Sequence, residues 1–142
     1  MSNVEIKFPK VNFGFKNKDE MTELITSEWS PFFDKDRADV FIFCMSYGFA
    51  RGLTRQTVPG SGTMPPERFL EPERNLMRSL AIAETGDMEV IKNARAYVTI
   101  CEEYAYAAFS EVYKICRQNA DDRGDVHIPL YDMIDNIQSE RV

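Results

Sequence analysis

The stretch from Val40 to Phe49, VFIFCMSYGF, is apolar on nearly every side of a helical wheel. A helix that is hydrophobic all round belongs in the centre of a packed core. The β-branched and aromatic residues of DVFIFCM would also suit a strand, but the apolar register continues past Ser46, which favours a helix. We therefore predict a central buried helix that begins near Asp34 or Asp36, where acidic side chains suit the helix dipole.

Small residues recur at intervals along this predicted helix. Gly48 and Gly52 lie four residues apart, with Ser46 close by, and small side chains at that spacing allow another helix to approach closely. The helical pattern then gives way to residues 53–66, LTRQTVPGSGTMPP, where Pro and Gly cluster. This composition predicts a loop.

Helical patterns also fill most of the remaining chain. Asn17 with Glu20 has the spacing of a capping box, Pro72 suits a helix start, Gly86 suits a helix end, and Asp87 suits the start of a further helix. Apolar residues recur three and four positions apart in the later segments. The predicted helices cover residues 18–26, 72–85, 88–93, 94–119 and 128–138.

The first sixteen residues differ, because apolar and polar side chains alternate with a period of two and Pro9 interrupts them. This pattern is typical of short extended pieces or of an arm that lies on the domain. The predicted organisation is an extended N-terminal arm at 1–16 and a single helical domain at 17–142. The predicted fold class is mainly α, a compact helical bundle of about five helices with a short extended N-terminal segment.

Composition limits the classes of function. The 142 residues carry a formal net charge of −6, so the chain as a whole repels nucleic acid, and any DNA contact needs a local basic patch. No apolar run is long enough to span a bilayer, and the first residues lack the apolar core of a signal peptide. We expect a cytoplasmic protein without membrane contact.

Candidate catalytic and metal-binding residues do not form a recognisable set. Cys44, Cys101 and Cys116 are widely spaced and are expected to be reduced core residues. Glu102 and its neighbour in the longest helix lack the Glu-x-x-His pairs of di-metal bundles, so we expect a solvated helix face. His127 is the only imidazole, and no nucleophile accompanies it. We assign no catalytic, cofactor-binding or metal-binding residues.

The stretch 51–78 is net positive in a chain that is otherwise net negative. It carries five positive and three negative residues, which makes it net +2 and leaves the rest at net −8. Arginine favours bidentate contact with phosphate or carboxylate, but the loop lacks the order of a phosphate-binding P-loop. The arginines either pair with Glu67, Glu71 and Glu73 or face a partner. The candidate partner or phosphate contacts are Arg51, Arg55, Arg68, Arg74 and Arg78.

Three motifs appear in a particular order: DVFIFCMSYGFARG at 39–52, then, after the Pro/Gly loop, LAIAETGD at 80–87 and ICEEYAYAAF at 100–109. In this order the chain resembles the fourth Dnd-system-associated protein family, which is encoded beside bacterial DNA phosphorothioation genes. The resemblance covers roughly residues 35–115, and Tyr106 and Ala107 depart from the family pattern. It implies a role in modification-dependent defence against foreign DNA and supplies no catalytic residues.

These observations favour a non-enzymatic accessory or adaptor protein of a bacterial DNA-modification-linked phage-defence system. It would act by protein–protein contact with components of a defence or restriction complex, through the segment 51–78, and a homodimer is a further option. The alternative is a protein that binds the DNA backbone directly through the same arginines, which the net charge disfavours.

Overall fold

Helices dominate residues 7–123, which are the residues that the computed structural model describes. This confirms the mainly α class. The predicted helix at 128–138 and residues 1–6 of the predicted arm lie outside the described residues. In chain order the elements are β1 (Val11–Asn12), α1 (Lys18–Thr26), α2 (Arg37–Ala50), β2 (Thr63–Met64), α3 (Glu71–Thr85) and α4 (Ala94–Arg123), with short 3-10 turns at Phe15–Asn17, Pro66–Arg68 and Met88–Lys92.

Helix α2 begins where the acidic residues predicted it. The Asp36 carboxylate accepts a hydrogen bond from the Ala38 N–H at 2.9 Å, and the Asp39 carboxylate accepts one from the Asp36 N–H at 2.9 Å. These reciprocal bonds satisfy backbone donors that the first turn leaves without helical partners. The strand alternative for this segment is therefore wrong.

The C-terminal end of α2 gives Gly52 a different role from the predicted one. Gly52 has φ 68°, its N–H donates to the Phe49 carbonyl at 3.1 Å, and the Leu53 N–H donates to the Gly48 carbonyl at 3.0 Å. This is the Schellman arrangement, which requires a left-handed residue and therefore favours glycine. No atom lies within 4 Å of the Cβ that Gly52 lacks, so Gly52 ends the helix and does not pack against another one.

Gly48 does mediate the close approach that its spacing predicted. A Cβ at Gly48 would lie 2.6 Å from the Tyr104 carbonyl oxygen and 3.3 Å from the Ala108 Cβ. Helix α4 therefore packs almost directly on the backbone of α2 at this point. Helix α2 has its main contact with α4 and also touches α1 and α3.

The N-terminal arm pairs with the segment predicted to be a loop. Strands β1 and β2 are antiparallel, with Val11 opposite Met64, and the Phe13 N–H donates to the Gly62 carbonyl at 2.8 Å. The loop prediction for 53–66 is thus wrong at Thr63–Met64, because a two-residue strand gives no detectable period of its own. Val11 and Met64 are both buried, so the ribbon closes one side of the core.

Two local predictions near helix ends need correction. Asn17 forms no side-chain cap on α1, because its amide is directed to the Phe13 carbonyl and the preceding 3-10 turn leads into the helix. The segment 88–93 forms a 3-10 turn instead of an α-helix, although Asp87 does cap it by accepting from the Glu89 N–H at 2.9 Å. Gly86, with φ 68°, ends α3 as predicted.

The three cysteines lie in the core. Cys44, Cys101 and Cys116 are free thiols and all are buried, as their apolar neighbours predicted. Burial raises the pKa of the Cys116 thiol to about 12 and raises the pKa of the other two thiols as well. The thiolate is the reactive form of cysteine, so these groups are inert while the core is closed.

Candidate functional site

Two of the five candidate arginines lie against acidic residues of α3 and α4. Arg55 contacts Glu84 with its Nε at 3.3 Å and Glu103 with its Nη1 at 3.6 Å. The Arg51 Nη2 lies 3.8 Å from Glu111. These pairs connect the chain that leaves α2 to both neighbouring helices.

The other three arginines hold the start of α3. Arg68 pairs with Asp36, the cap of α2, and Arg78 pairs with Glu71. Arg74 donates to the Phe69 carbonyl at 2.7 Å and to the Pro66 carbonyl at 2.9 Å. Its guanidinium also lies over the Phe8 ring, 4.2 Å from the centroid, which is a cation–π geometry.

Each candidate arginine therefore already has an intramolecular role. Of the three acidic partners expected within 51–78, Glu71 pairs with Arg78, whereas the Glu73 carboxylate accepts from the Leu70 N–H at 2.9 Å. The remaining ion-pair partners come from other helices, and sequence spacing alone carries no signal for them. Their use as partner contacts stays a prediction, and phosphate would have to compete with carboxylates that are already in place.

Glu102 contradicts the expectation of a solvated helix face. Its side chain is only 8% exposed, and it accepts from the Asn12 N–H at 2.7 Å and from the Arg95 Nη2 at 2.8 Å. Burial raises the pKa of this carboxyl, while its two hydrogen bonds oppose that shift. Glu102 thus ties β1 to α4, and sequence pattern carries no signal for this contact because the Asn12 donor lies ninety residues away.

Two tyrosines of α4 anchor neighbouring helices through carboxylates. The Tyr104 hydroxyl donates to Glu84 at 2.7 Å, and the Tyr113 hydroxyl donates to Glu23 of α1. Burial, followed by the Glu84 hydrogen bond, raises the pKa of Tyr104 to about 12. The hydrogen bond to Glu23 is the main cause that raises the pKa of Tyr113 to about 12. High pKa values keep both hydroxyls protonated as donors, which is a structural role.

The side of α2 opposite Gly48 has an apolar surface that the described residues cover only in part. A groove between α2 and α3, with a volume of about 420 Å³, runs along this side, and we call it the α2–α3 groove. Leu76 at its edge is 51% exposed. The α2–α3 groove is lined by Phe43, Met45, Ser46, Tyr47, Phe49, Ala50, Leu76, Ser79, Leu80 and Ala83.

A second groove lies on the other flank of the same helix surface, between α2 and the segment that precedes it, and we call it the α2–Pro31 groove. Its volume is about 560 Å³. Phe43 and Ser46 line both grooves and form the ridge between them. The α2–Pro31 groove is lined by Pro31, Phe32, Lys35, Asp39, Ile42, Phe43 and Ser46.

Together the two grooves and the ridge form what we call the outer face of α2. Sequence reasoning missed this face, because an all-round apolar helix predicted burial on every side. The available signals were Ser46, a polar residue in the middle of the apolar run, and Leu76, which lies at an edge of the α3 pattern. The described residues leave part of this face uncovered, and exposed apolar patches are common at binding sites.

Metal-ligand clusters and membrane-spanning helices are both absent from the described part of the chain. Among residues 7–123, no three His, Cys, Asp or Glu side chains come together in a cluster that would hold a metal ion. Over the same residues, none of the helices combines the length and the apolar character that crossing a membrane requires.

Comparison with known proteins does not assign the chain to a family. No protein-family model matches the chain, and no significant match was found among curated proteins or solved structures. The resemblance described above and its biological setting therefore stay predictions.

Proposed function

We propose that this protein is a non-enzymatic adaptor that acts by protein–protein contact through the outer face of α2. The observation that carries the proposal is the pair of apolar grooves on either side of the Phe43–Ser46 ridge. Apolar side chains left open to water cost free energy that a partner recovers by covering them. The biological setting that we propose, a bacterial DNA-modification-linked phage-defence system, is supported only by the motif resemblance.

The partner element that suits this face is an amphipathic helix of another protein. A helix placed in a groove presents apolar residues at i, i+3, i+4 and i+7, and the α2–α3 groove offers aliphatic and aromatic walls at Phe49, Leu76 and Leu80. The net charge of −6 favours basic residues on the solvent side of that helix, since complementary charge speeds association. Basic components of a restriction complex would meet this description.

The surface proposed here differs from the segment favoured by the sequence. Arg51, Arg55 and the three arginines near α3 have intramolecular partners, so using them for a partner or for DNA means breaking existing contacts. The alternative of direct DNA-backbone binding through 51–78 carries that cost together with the long-range repulsion of an acidic chain. The outer face of α2 needs no such rearrangement.

The test compares two Ser→Arg variants with the wild-type chain as affinity baits. Ser46 lies on the ridge and Ser110 lies on α4, and both are exposed. Both variants should unfold within about 0.5 kcal/mol of the wild type, because exposed helix positions tolerate such a change. With nuclease present, wild type and Ser110→Arg should retain defence or restriction proteins, while Ser46→Arg retains roughly tenfold less, since an arginine on the ridge would be buried without a counter-charge.

The other outcomes are equally informative. Equal recovery by all three baits would reject the outer face of α2 as the contact surface. Recovery that disappears with nuclease would favour the DNA-binding alternative, and recovery of nothing specific would reject the adaptor. A sedimentation experiment that finds a wild-type dimer and a Ser46→Arg monomer would assign the face to self-association and reject a foreign helix as its occupant.

A further inference from the structure

A separate cavity of about 260 Å³ lies between α1, the start of α2 and the residues around β2. Four cationic side chains and a single acidic one, Asp36, line it, so its lining is net +3 in a chain of net charge −6. We call it the cationic pocket. Its cations are Lys18, Lys35, Arg37 and Arg68, and its apolar lining is Phe13, Ile25, Met64 and Pro65.

The one acidic residue of the cationic pocket is already engaged. The Asp36 carboxylate accepts from the Ala38 N–H and from Arg68, so it caps α2 and neutralises one guanidinium. Within residues 7–123, the ammonium groups of Lys18 and Lys35 form no ion pair and no hydrogen bond. Two positive charges at one cavity therefore lack a counter-charge from the described protein.

Arg37 adds a third cation with spare hydrogen-bonding capacity. One of its terminal nitrogens, Nη2, donates to the Thr22 hydroxyl at 2.6 Å. Its Nε is buried and has no hydrogen-bond partner among the described residues. Because that Nε is closed off from solvent, Arg37 contributes its positive charge to the cavity through the rest of its side chain.

The position of these cations strengthens the case for an anion. Helix α2 begins at Arg37, so Lys35 and Arg37 flank the positive end of its dipole, where cations are unfavourable and anions are stabilised. The backbone N–H groups of Asp36 and Ala38 already donate to carboxylates, so the side chains rather than the backbone would bind the anion. The dipole and three side chains thus raise the electrostatic potential at the same place.

We propose that the cationic pocket binds a small phosphate-bearing molecule. Its phosphate would lie against Lys18, Lys35 and Arg37, because ammonium and guanidinium groups form strong charge-assisted bonds to phosphate oxygens. Its less polar part would lie on Phe13, Ile25 and Met64. A volume of about 260 Å³ corresponds to roughly nine water molecules at about 30 Å³ each, which suits a free phosphorylated small molecule and is too small for a duplex.

Binding to purified protein tests this proposal independently of any protein partner. The probes are inorganic phosphate, pyrophosphate and adenosine 5′-monophosphate, titrated by calorimetry at low salt. The test variant is Lys18→Gln/Lys35→Gln, and the matched control is Lys10→Gln/Lys114→Gln, which removes the same charge from exposed positions elsewhere. All three proteins should unfold at similar urea concentrations, because the four lysines make no interactions that the fold depends on.

We expect saturable binding of at least one probe with one site per chain. The test variant should bind about tenfold more weakly or worse, since two charge-assisted contacts are lost, while the control should stay within about twofold of the wild type. Failure of all three probes to saturate would overturn the proposal. Equal weakening of both variants would also overturn it, because the effect would then come from net charge alone.

A further arm separates a free ligand from nucleic acid. A short single-stranded oligonucleotide with a 5′-phosphate is compared with the same oligonucleotide without it. If only the oligonucleotides bind, with or without the phosphate, the small-molecule proposal fails. If the small probes bind and the unphosphorylated oligonucleotide does not, the proposal is supported.

Discussion

The inner and outer faces of α2 have similar compositions and opposite environments. On the inner face, Phe41, Cys44 and Gly48 are buried against the rest of the core, and the backbone of α4 touches the helix at Gly48. On the outer face, Ile42 and Phe43 are only partly covered and Ser46 is exposed. The described residues thus cover the inner face completely, whereas Phe43 on the outer face packs against Phe32 at 5.6 Å and stays only partly covered.

This difference shows how an all-round apolar helix should be interpreted. The apolar pattern of a sequence indicates which side chains avoid water, but it does not identify which element covers them. One side is covered by α4, while the described residues cover the other side only in part. We expect the inner face to contribute to stability and the outer face to contribute to binding, and variants of each face can measure these contributions.

The largest effect is expected from Phe41→Ala. The Phe41 ring is buried and packs edge-on against Phe69 at 5.7 Å, so its removal should lower the free energy of unfolding by about 3–5 kcal/mol. Phe43→Ala on the outer face, where the ring is only partly covered, should cost about 1–2 kcal/mol. Urea unfolding of both variants measures the difference, and equal costs would erase the distinction between the two faces.

Gly48→Ala should have the next largest effect. The added Cβ would lie 2.6 Å from the Tyr104 carbonyl oxygen, and forcing the helices apart should cost about 2–3 kcal/mol. This loss should exceed the gain of about 1 kcal/mol that alanine brings to an isolated helix. Ser46→Ala, two residues away on the outer face, is the control and should change stability by less than about 0.5 kcal/mol.

The smallest effect is expected from ionisation of the Tyr104 hydroxyl at alkaline pH. The Tyr104 carbonyl touches Gly48, and the Tyr104 ring packs edge-on against Phe49 at 5.6 Å. The pKa of Tyr104 is raised to about 12 from the ordinary 10.0, so the folded state favours the protonated hydroxyl. Its contribution to stability is fully present below pH 10 and is lost as pH rises through 12. Urea unfolding between pH 9 and 11.5 should show a shallower decline for Tyr104→Phe than for wild type, and parallel declines would contradict the assignment.

The parts of this fold that sequence predicts are those with a local physical cause. The cap at Asp36, the left-handed glycine at the end of α3 and the apolar stripe of α4 each depend on residues within a few positions of one another. Period and capping chemistry therefore suffice to predict their presence. Gly48 was also predictable, because a missing side chain in an apolar helix indicates close packing.

The parts that sequence does not predict depend on contacts between distant elements. Glu102 has the sequence context of a solvated residue, and its burial follows only from the arrival of Asn12. The partners of Arg55 are likewise set by how α3 and α4 are placed. The outer face of α2 was missed for the opposite reason, since a local pattern predicted complete burial and tertiary packing left part of it open.

The hydrogen bond between Asn12 and Glu102 also bears on the order of events during synthesis. Its two residues are separated by ninety positions, and ribosomes add about 5–20 residues per second, so Glu102 is made roughly 5–18 s after Asn12. Until Glu102 is made, β1 has no carboxylate to bind its Asn12 N–H, and α2, once made, lacks the helix that covers Gly48. The order of synthesis thus separates the most apolar helix of the described chain from its main packing partner for part of that interval.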